Sequence, residues 1–204
     1  MWIYEKKLQY PVKIKNSNPK LAAAILSQLG GPDGELAAAT RYLNQRYTMP
    51  SGEGIGLLTD IGSEELAHVE MIGSLIYQLT RNLTPDEIKA AGFDGYFVDH
   101  GVGIYPASAE GVPFSTAYIA SKGDTVANLV EDLAAEQKAR ATYENILRLS
   151  DDPDVNDVIR FLRQREIVHF QRFGDLLRKT QDGLDKKNYY AFNPESDMRC
   201  NRKK

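Results

Sequence analysis

The apolar residues of the chain recur at intervals of three and four positions over four long segments, as they do on one face of an amphipathic α-helix. The first segment starts after Asn18 and Pro19, a helix-capping residue and a proline suited to the first helical position. A run rich in glycine at 30–34 interrupts it, and the pattern does not decide between a kink and a short loop. The segments predicted as helices are 18–46 with this break, about 57–81, 124–149 and 154–180.

The remaining segments organise the chain around these helices. Residues 1–17 have an extended-looking pattern, the glycine-rich stretch 51–56 is expected to be a flexible connector, and 82–122 carries one short helix signal, at Thr84. Residues 183–204 lack periodicity and are expected to be an arm or a disordered tail. Two helical hairpins joined by one long connection predict an all-α fold, a ferritin-like four-helix bundle at 1–182 with a crossover between helices two and three.

Composition and charge exclude several classes of protein. The chain has 204 residues, a formal net charge of −3 and a single cysteine, Cys200. This charge gives no general attraction for nucleic acid, and one cysteine can form neither an intrachain disulfide nor a thiolate metal cluster. The start lacks the apolar core of a signal peptide, and no segment has the ~20 apolar residues of a membrane span. We therefore expect a soluble cytoplasmic protein with no nucleic-acid or membrane partner.

Charged side chains interrupt two of the apolar stripes. In helix two, Glu65 and His68 occupy stripe positions, and in helix four Glu166 and His169 do the same. Side chains three residues apart lie on one helical face, so each Glu–His pair can converge on one ion. The third histidine, His100, lies in a glycine-rich turn without a partner at ligand spacing and is expected to be a loop histidine. The two pairs are therefore candidate metal ligands.

Two further glutamates make these pairs part of an internal repeat. Glu35 precedes Glu65 by 30 residues and Glu136 precedes Glu166 by 30, so the two sets are offset by 101 residues. Four buried carboxylates close together are very unfavourable unless cations neutralise them, and two divalent cations balance their charge. One glutamate from each of two helices and a Glu-x-x-His from each of the other two is the pattern of di-iron and di-manganese bundles. The repeat therefore predicts a dimetal site.

The ligand types leave the metal and the reaction open. Oxygen and imidazole ligands suit manganese and iron alike, whereas the lack of thiolate disfavours copper(I) and structural zinc. A pair of either metal that cycles between two divalent and two trivalent ions exchanges two electrons, which matches both the oxidation and the reduction of hydrogen peroxide. From the residues alone, three reactions remain: peroxide disproportionation, iron oxidation and peroxide reduction.

The chain contains four distinctive runs: 7–10 (KLQY), 30–36 (GGPDGEL), 60–72 (DIGSEELAHVEMI) and 161–169 (FLRQREIVH). These runs resemble the non-haem manganese catalases, and over its whole length the chain is most similar to their shorter, spore-coat-associated members. The resemblance covers residues 1–180 and implies a ferritin-like bundle that converts hydrogen peroxide to water and dioxygen with two manganese ions per subunit. It also implies a symmetric homo-oligomer, a hexamer, and deposition in the spore coat beside other coat proteins.

The resemblance also implies roles for individual residues. Glu65 would bridge the two ions, and Glu166 matches a glutamate that relays protons for bridging solvent. Tyr42, seven residues beyond Glu35, matches a tyrosine hydrogen-bonded near the ligands. The residues that match metal ligands are Glu35, Glu65 and His68 for one manganese and Glu136 and His169 for the other.

Two other functions compete with an enzyme of this kind. A structural spore-coat protein could keep the bundle and its metal for stability, with little turnover. A di-iron protein could use the same ligands as a ferroxidase or a peroxidase, with iron in place of manganese.

Overall fold

The protein is all-α, a ferritin-like four-helix bundle with one long crossover, in the computed structural model that describes Glu5 and residues 7–185. Seven α-helices and one short 3₁₀ helix form within this part of the chain. The α-helices are α1 Pro19–Gly30, α2 Glu35–Gln45, α3 Gly52–Thr80, α4 Pro85–Ala90, α5 Asp94–His100, α6 Thr125–Leu149 and α7 Pro153–Asp185, and the 3₁₀ helix is Thr116–Ile119.

The first bundle helix consists of two shorter helices, α1 and α2, separated by a turn. The Asn18 side chain caps α1 by accepting from the amide of Leu21, and α1 ends at Gly30. A side chain at Gly34 would lie 2.7 Å from the carbonyl oxygen of Ser27, so only glycine allows the chain to return this closely to α1. The interruption is therefore a loop rather than a kink, and it places Glu35 at the first position of α2.

The second bundle helix begins earlier than the sequence predicts, because α3 starts at Gly52 and includes most of the expected connector 51–56. The hydroxyl of Ser51 accepts from the amide of Gly54 at 3.0 Å and caps the helix. Gly54 also packs tightly against Met49, which leaves no room for a side chain. The connector prediction was wrong because glycine was taken as a helix breaker, although a capped first turn tolerates it at a cost of about 1 kcal/mol.

The crossover contains the predicted short helix α4 and a second one, α5, that the sequence does not reveal. Thr84 and Glu87 form a capping box at the start of α4. His100 is the last residue of α5, stacked on Tyr105 with ring centroids 4.0 Å apart, and the turn begins only at Gly101. The description of His100 as a loop residue was therefore wrong, since a helix of seven residues is too short to show an apolar period.

The extended segment at the start of the chain is attached to α3 through Gln78. The Gln78 side chain accepts from the amide of Ile14 and donates to the carbonyl of Val12, each at 2.9 Å.

At the C-terminal end of the described chain, α7 continues to Asp185, beyond the expected domain boundary at 182. The rest of the expected tail, 186–204, lies outside the described residues. None of the described helices is both long and apolar enough to cross a membrane.

The bundle core consists of two apolar clusters with a polar layer between them. Each fully buried leucine, isoleucine or phenylalanine contributes about 1.5–3 kcal/mol, and this burial offsets the cost of the polar layer. The metal-ligand candidates lie in that layer, held from both sides by rigid packing. The first cluster includes Ile25, Ile72, Leu75, Ile146 and Leu162, and the second includes Leu58, Ile61, Leu129, Phe173 and Leu176.

We expect Gly30→Ala to destabilise the fold by about 1–3 kcal/mol, because a methyl group there overlaps the backbone of Pro106 and Ala107 in the crossover. Gly73→Ala is the matched control, since its new methyl group would meet only Ile104, at 3.8 Å. The control should be neutral or stabilising by up to about 1 kcal/mol, as for glycine to alanine inside a helix. Urea unfolding followed by circular dichroism measures both changes, and equal stabilities of the two variants would contradict the close packing of the crossover.

Candidate metal centre

Six buried side chains from four helices converge between the two apolar clusters. Their ligand atoms form two overlapping groups, and within each group these atoms all lie within 4.8 Å of one another. Glu65 from α3 and Glu166 from α7 belong to both groups. The structure thus brings together all the residues matched to metal ligands, and a carboxylate oxygen of Glu166 lies close to the ligand atoms of both groups. The groups are Glu35, Glu65, His68 and Glu166, and Glu65, Glu136, Glu166 and His169.

Glu65 lies between the two histidines. Its Oε2 is 2.8 Å from Nδ1 of His68, and its Oε1 is 2.7 Å from Nδ1 of His169. Each Nδ1 also faces the glutamate of its own half, at 3.5 Å for Glu35 and 3.6 Å for Glu136. The two halves of the centre are therefore nearly equivalent, with Glu65 shared at the middle.

Two tyrosines connect the halves crosswise. The hydroxyl of Tyr42 on α2 donates to Oε1 of Glu136 on α6 at 2.5 Å, and that of Tyr143 on α6 donates to Oε1 of Glu35 on α2. Tyr42 was predicted to lie near the ligands, whereas the sequence analysis gave Tyr143 no functional role. The internal repeat could have revealed Tyr143, because it follows Tyr42 by the same 101 residues.

Glu64 and Arg165 form a second contact that the sequence reasoning missed. Oε2 of Glu64 lies 3.0 Å from Nε2 of His169, and Nε of Arg165 donates to Oε1 of Glu64 at 2.6 Å. Each residue directly precedes a glutamate of the centre, and the two are again 101 residues apart. A charged residue beside a ligand is usually part of a solvated helix face. The only sequence signal for the contact between Glu64 and Arg165 is therefore their equivalent position in the repeat.

The electrostatics of the layer favour cations. Burial, together with the charge of Glu65, raises the pKa of Glu35 to about 8. Burial and the charge of Glu35 raise the pKa of Glu166 well above its usual range. Burial opposes charge on Glu65 and on both imidazoles, but the attraction between the Glu65 carboxylate and the two imidazolium groups is stronger. It lowers the pKa of Glu65 far below normal and raises those of His68 and His169 to about 10 and about 12. Without cations, these groups are neutralised only by protons.

The donor atoms fit a pair of divalent ions of the manganese or iron type. Leaving a buried polar atom without a partner costs about 1–3 kcal/mol. Oε1 of Glu65 and Nδ1 of His169 lie close together, but not in hydrogen-bond geometry. Bound cations would give each of these atoms a partner, and the nitrogen and oxygen donors suit such ions. Four buried ligand atoms that point into the centre have no hydrogen-bond partner among the described residues: Oε1 of Glu65, Oε2 of Glu136, Oε1 of Glu166 and Nδ1 of His169.

Comparison with known proteins identifies the family. Residues 1–189 match the family described as manganese containing catalase. The chain belongs to the manganese catalase family. Protein CotJC of Bacillus subtilis is 54% identical over 190 residues, which are 93% of this chain and 100% of that protein. A probable manganese catalase of Clostridium acetobutylicum is 33% identical over 191 residues, 93% of this chain and 85% of the relative.

A solved structure of a manganese catalase has the same fold. The crystal structure of KatB, a manganese catalase from Anabaena PCC7120, matches with a TM-score of 0.82 and 34% sequence identity, over 89% of this chain and 81% of KatB. The family match includes the whole bundle, so the buried carboxylates and histidines all lie within the part of the chain that is shared with manganese catalases.

We expect His169→Ala to lower the metal content of the purified protein, because it removes one of the two imidazoles that face the centre. His100→Ala is the matched control, since His100 lies at the end of α5 in the crossover, outside both groups of candidate ligands. Metal analysis by mass spectrometry measures the ions per chain. Full occupancy in His169→Ala would remove this residue from the ligand set.

Proposed function

We propose that the protein is a manganese catalase that converts hydrogen peroxide to water and dioxygen at a carboxylate-bridged dimanganese centre. The observation that carries this proposal is the pair of buried carboxylate–histidine groups that share Glu65 and Glu166. Membership of the manganese catalase family and the names of several relatives support the reaction.

In this proposal Glu35, Glu65 and His68 hold one manganese, and Glu136 and His169 hold the other. Glu65 would be shared by both ions, since it directs one carboxylate oxygen toward each histidine. When bound, the two ions supply the two-electron exchange by which peroxide is alternately oxidised and reduced.

The protein's own residues accept the protons that peroxide releases and donate them to form water. Glu166 is suited to relay them, because its buried carboxylate lies beside the candidate ligands of both ions. In the metal-free protein, burial and the charges of Glu35 and Glu136 raise the pKa of Glu166 well above its usual range. Glu65 has the opposite pKa shift and stays ionised, as a bridging ligand must. Tyr42 donates to Oε1 of Glu136 and so holds that carboxylate in place.

Glu166→Gln separates a proton relay from a metal ligand. We expect the variant to keep both manganese ions but to lose catalase turnover by about 10²–10⁴-fold, the usual contribution of a positioned acid or base. Metal content and oxygen release are measured on the same sample. Loss of an ion in this variant would instead place Glu166 in the ligand set.

A structural role with little turnover is the second candidate. One observation favours it: the relative with 54% identity over its whole length, Protein CotJC, has a name that states no activity, whereas the relatives named manganese catalase are 30–33% identical. Deposition in the spore coat after synthesis in the cytoplasm, contacts with other coat proteins and a symmetric homo-oligomer such as a hexamer are proposed for the catalase and for the structural protein alike. They rest on the resemblance to the shorter spore-coat-associated members.

Metal analysis together with oxygen release from added peroxide distinguishes the candidates. About two manganese ions per chain with oxygen release is expected for the catalase, manganese without oxygen release for the structural protein, and iron for a ferroxidase or peroxidase.

Removing the metal with a chelator should lower the unfolding temperature, since an ion that binds only the folded state stabilises it by about 4 kcal/mol at a free concentration 1,000 times its Kd. An unchanged unfolding temperature would contradict a centre that neutralises the buried carboxylates.

A further inference from the structure

The carboxylate of Glu64 lies on the outer side of both histidines. Each imidazole directs Nδ1 toward Glu65 at the middle of the centre and Nε2 toward Glu64. The two distances to Glu64 differ, since Oε2 is 3.0 Å from Nε2 of His169 but Oε1 is 3.8 Å from Nε2 of His68. Only the first is a hydrogen bond, and Nε2 of His68 has no hydrogen-bond partner among the described residues.

Glu64 is held in this position from two other parts of the chain. Arg165 on α7 donates to both carboxylate oxygens, from Nε at 2.6 Å and from Nη2 at 3.1 Å. Gln9 in the extended N-terminal segment donates to Oε1 at 2.7 Å. The Glu64 side chain is only 14% exposed, so a fixed orientation is stabilised here better than in a solvated surface pair.

A carboxylate that accepts from one imidazole nitrogen orients the ring and directs the other nitrogen to a metal. Partners of this kind typically change metal affinity by about 10–100-fold. The Nδ1 atom of His169 faces the centre without a hydrogen-bond partner in the described part of the chain, as a metal-binding nitrogen should. His68 has the same ring orientation but lacks the accepting carboxylate within hydrogen-bond distance.

We propose that Glu64, fixed by Arg165, is a positioning residue that orients His169 for metal binding. Because it bonds to one histidine only, it makes the two metal sites unequal. The ion on the Glu136–His169 side depends on Glu64, and the ion on the Glu35–His68 side does not. This inference rests on the dimanganese centre proposed above.

A manganese titration of the full-length, chelator-stripped protein tests the inference without using activity. Free Mn²⁺ is measured by its electron paramagnetic resonance signal. The double change Glu64→Leu with Arg165→Leu removes the accepting carboxylate without leaving a guanidinium unpaired. The matched control is Asp60→Leu with Arg172→Leu, because that pair also joins α3 to α7, at 2.7 Å, but touches neither histidine. Glu64→Gln, which retains an acceptor oxygen, is a milder variant should the double change prevent folding.

We expect wild type and control to bind two ions with the same affinities. The Glu64 and Arg165 double variant should keep one ion at wild-type affinity and bind the other about 10–100-fold more weakly, with a smaller weakening in Glu64→Gln. Unchanged binding of both ions, or equal weakening of both, would overturn the role of Glu64 while leaving the dimanganese proposal intact. A wild-type protein that binds no manganese would instead overturn the proposed function, and the inference with it.

Discussion

The structure depends on the burial of four carboxylates and two imidazoles in the middle of a helical bundle. Such a layer is costly unless opposite charges and hydrogen bonds satisfy it, and here Glu65 between His68 and His169 provides the central contact. The apolar clusters on either side keep the four helices close enough for these groups to meet. The same charges that oppose folding give the layer its affinity for cations.

The loop between α1 and α2 shows how the fold serves this layer. A continuous helix would leave Glu35 inside a helical run, whereas the turn at Gly34 begins a new helix at Glu35. The carboxylate is then fixed by the hydroxyl of Tyr143 from the opposite hairpin. The glycine-rich turn thereby delivers one carboxylate to the centre.

The internal repeat gives the centre an approximate two-fold symmetry, which is broken next to the histidines. Tyr42 and Tyr143 exchange hydrogen bonds between the halves in an equivalent way. Glu64 and Arg165 occupy equivalent positions but carry opposite charges, and they pair with each other. Two equal carboxylates there would repel each other, so the substitution of arginine for glutamate in one half allows a single carboxylate to be held beside the rings.

Much of the fold was predictable, because long helices show their period and their caps directly. The helix starts at Asn18 and Asp124 were correct, since each cap uses residues adjacent in sequence. The start of α3 and the helix that ends at His100 were missed. In these places the outcome depends on packing against Met49 or on a helix too short to show a period. Neither a run of glycines nor an apolar period reports these two features.

The sequence by itself determined that the glutamates and histidines of the internal repeat face the core, because helical periodicity decides which side of a helix each residue occupies. Only the tertiary structure decided how that set is shared. It placed Glu166 in both groups, crossed the tyrosines between the halves and put Glu64 beside His169. These contacts join residues on different helices. Their distances follow from how the helices pack, which spacing along the chain does not specify.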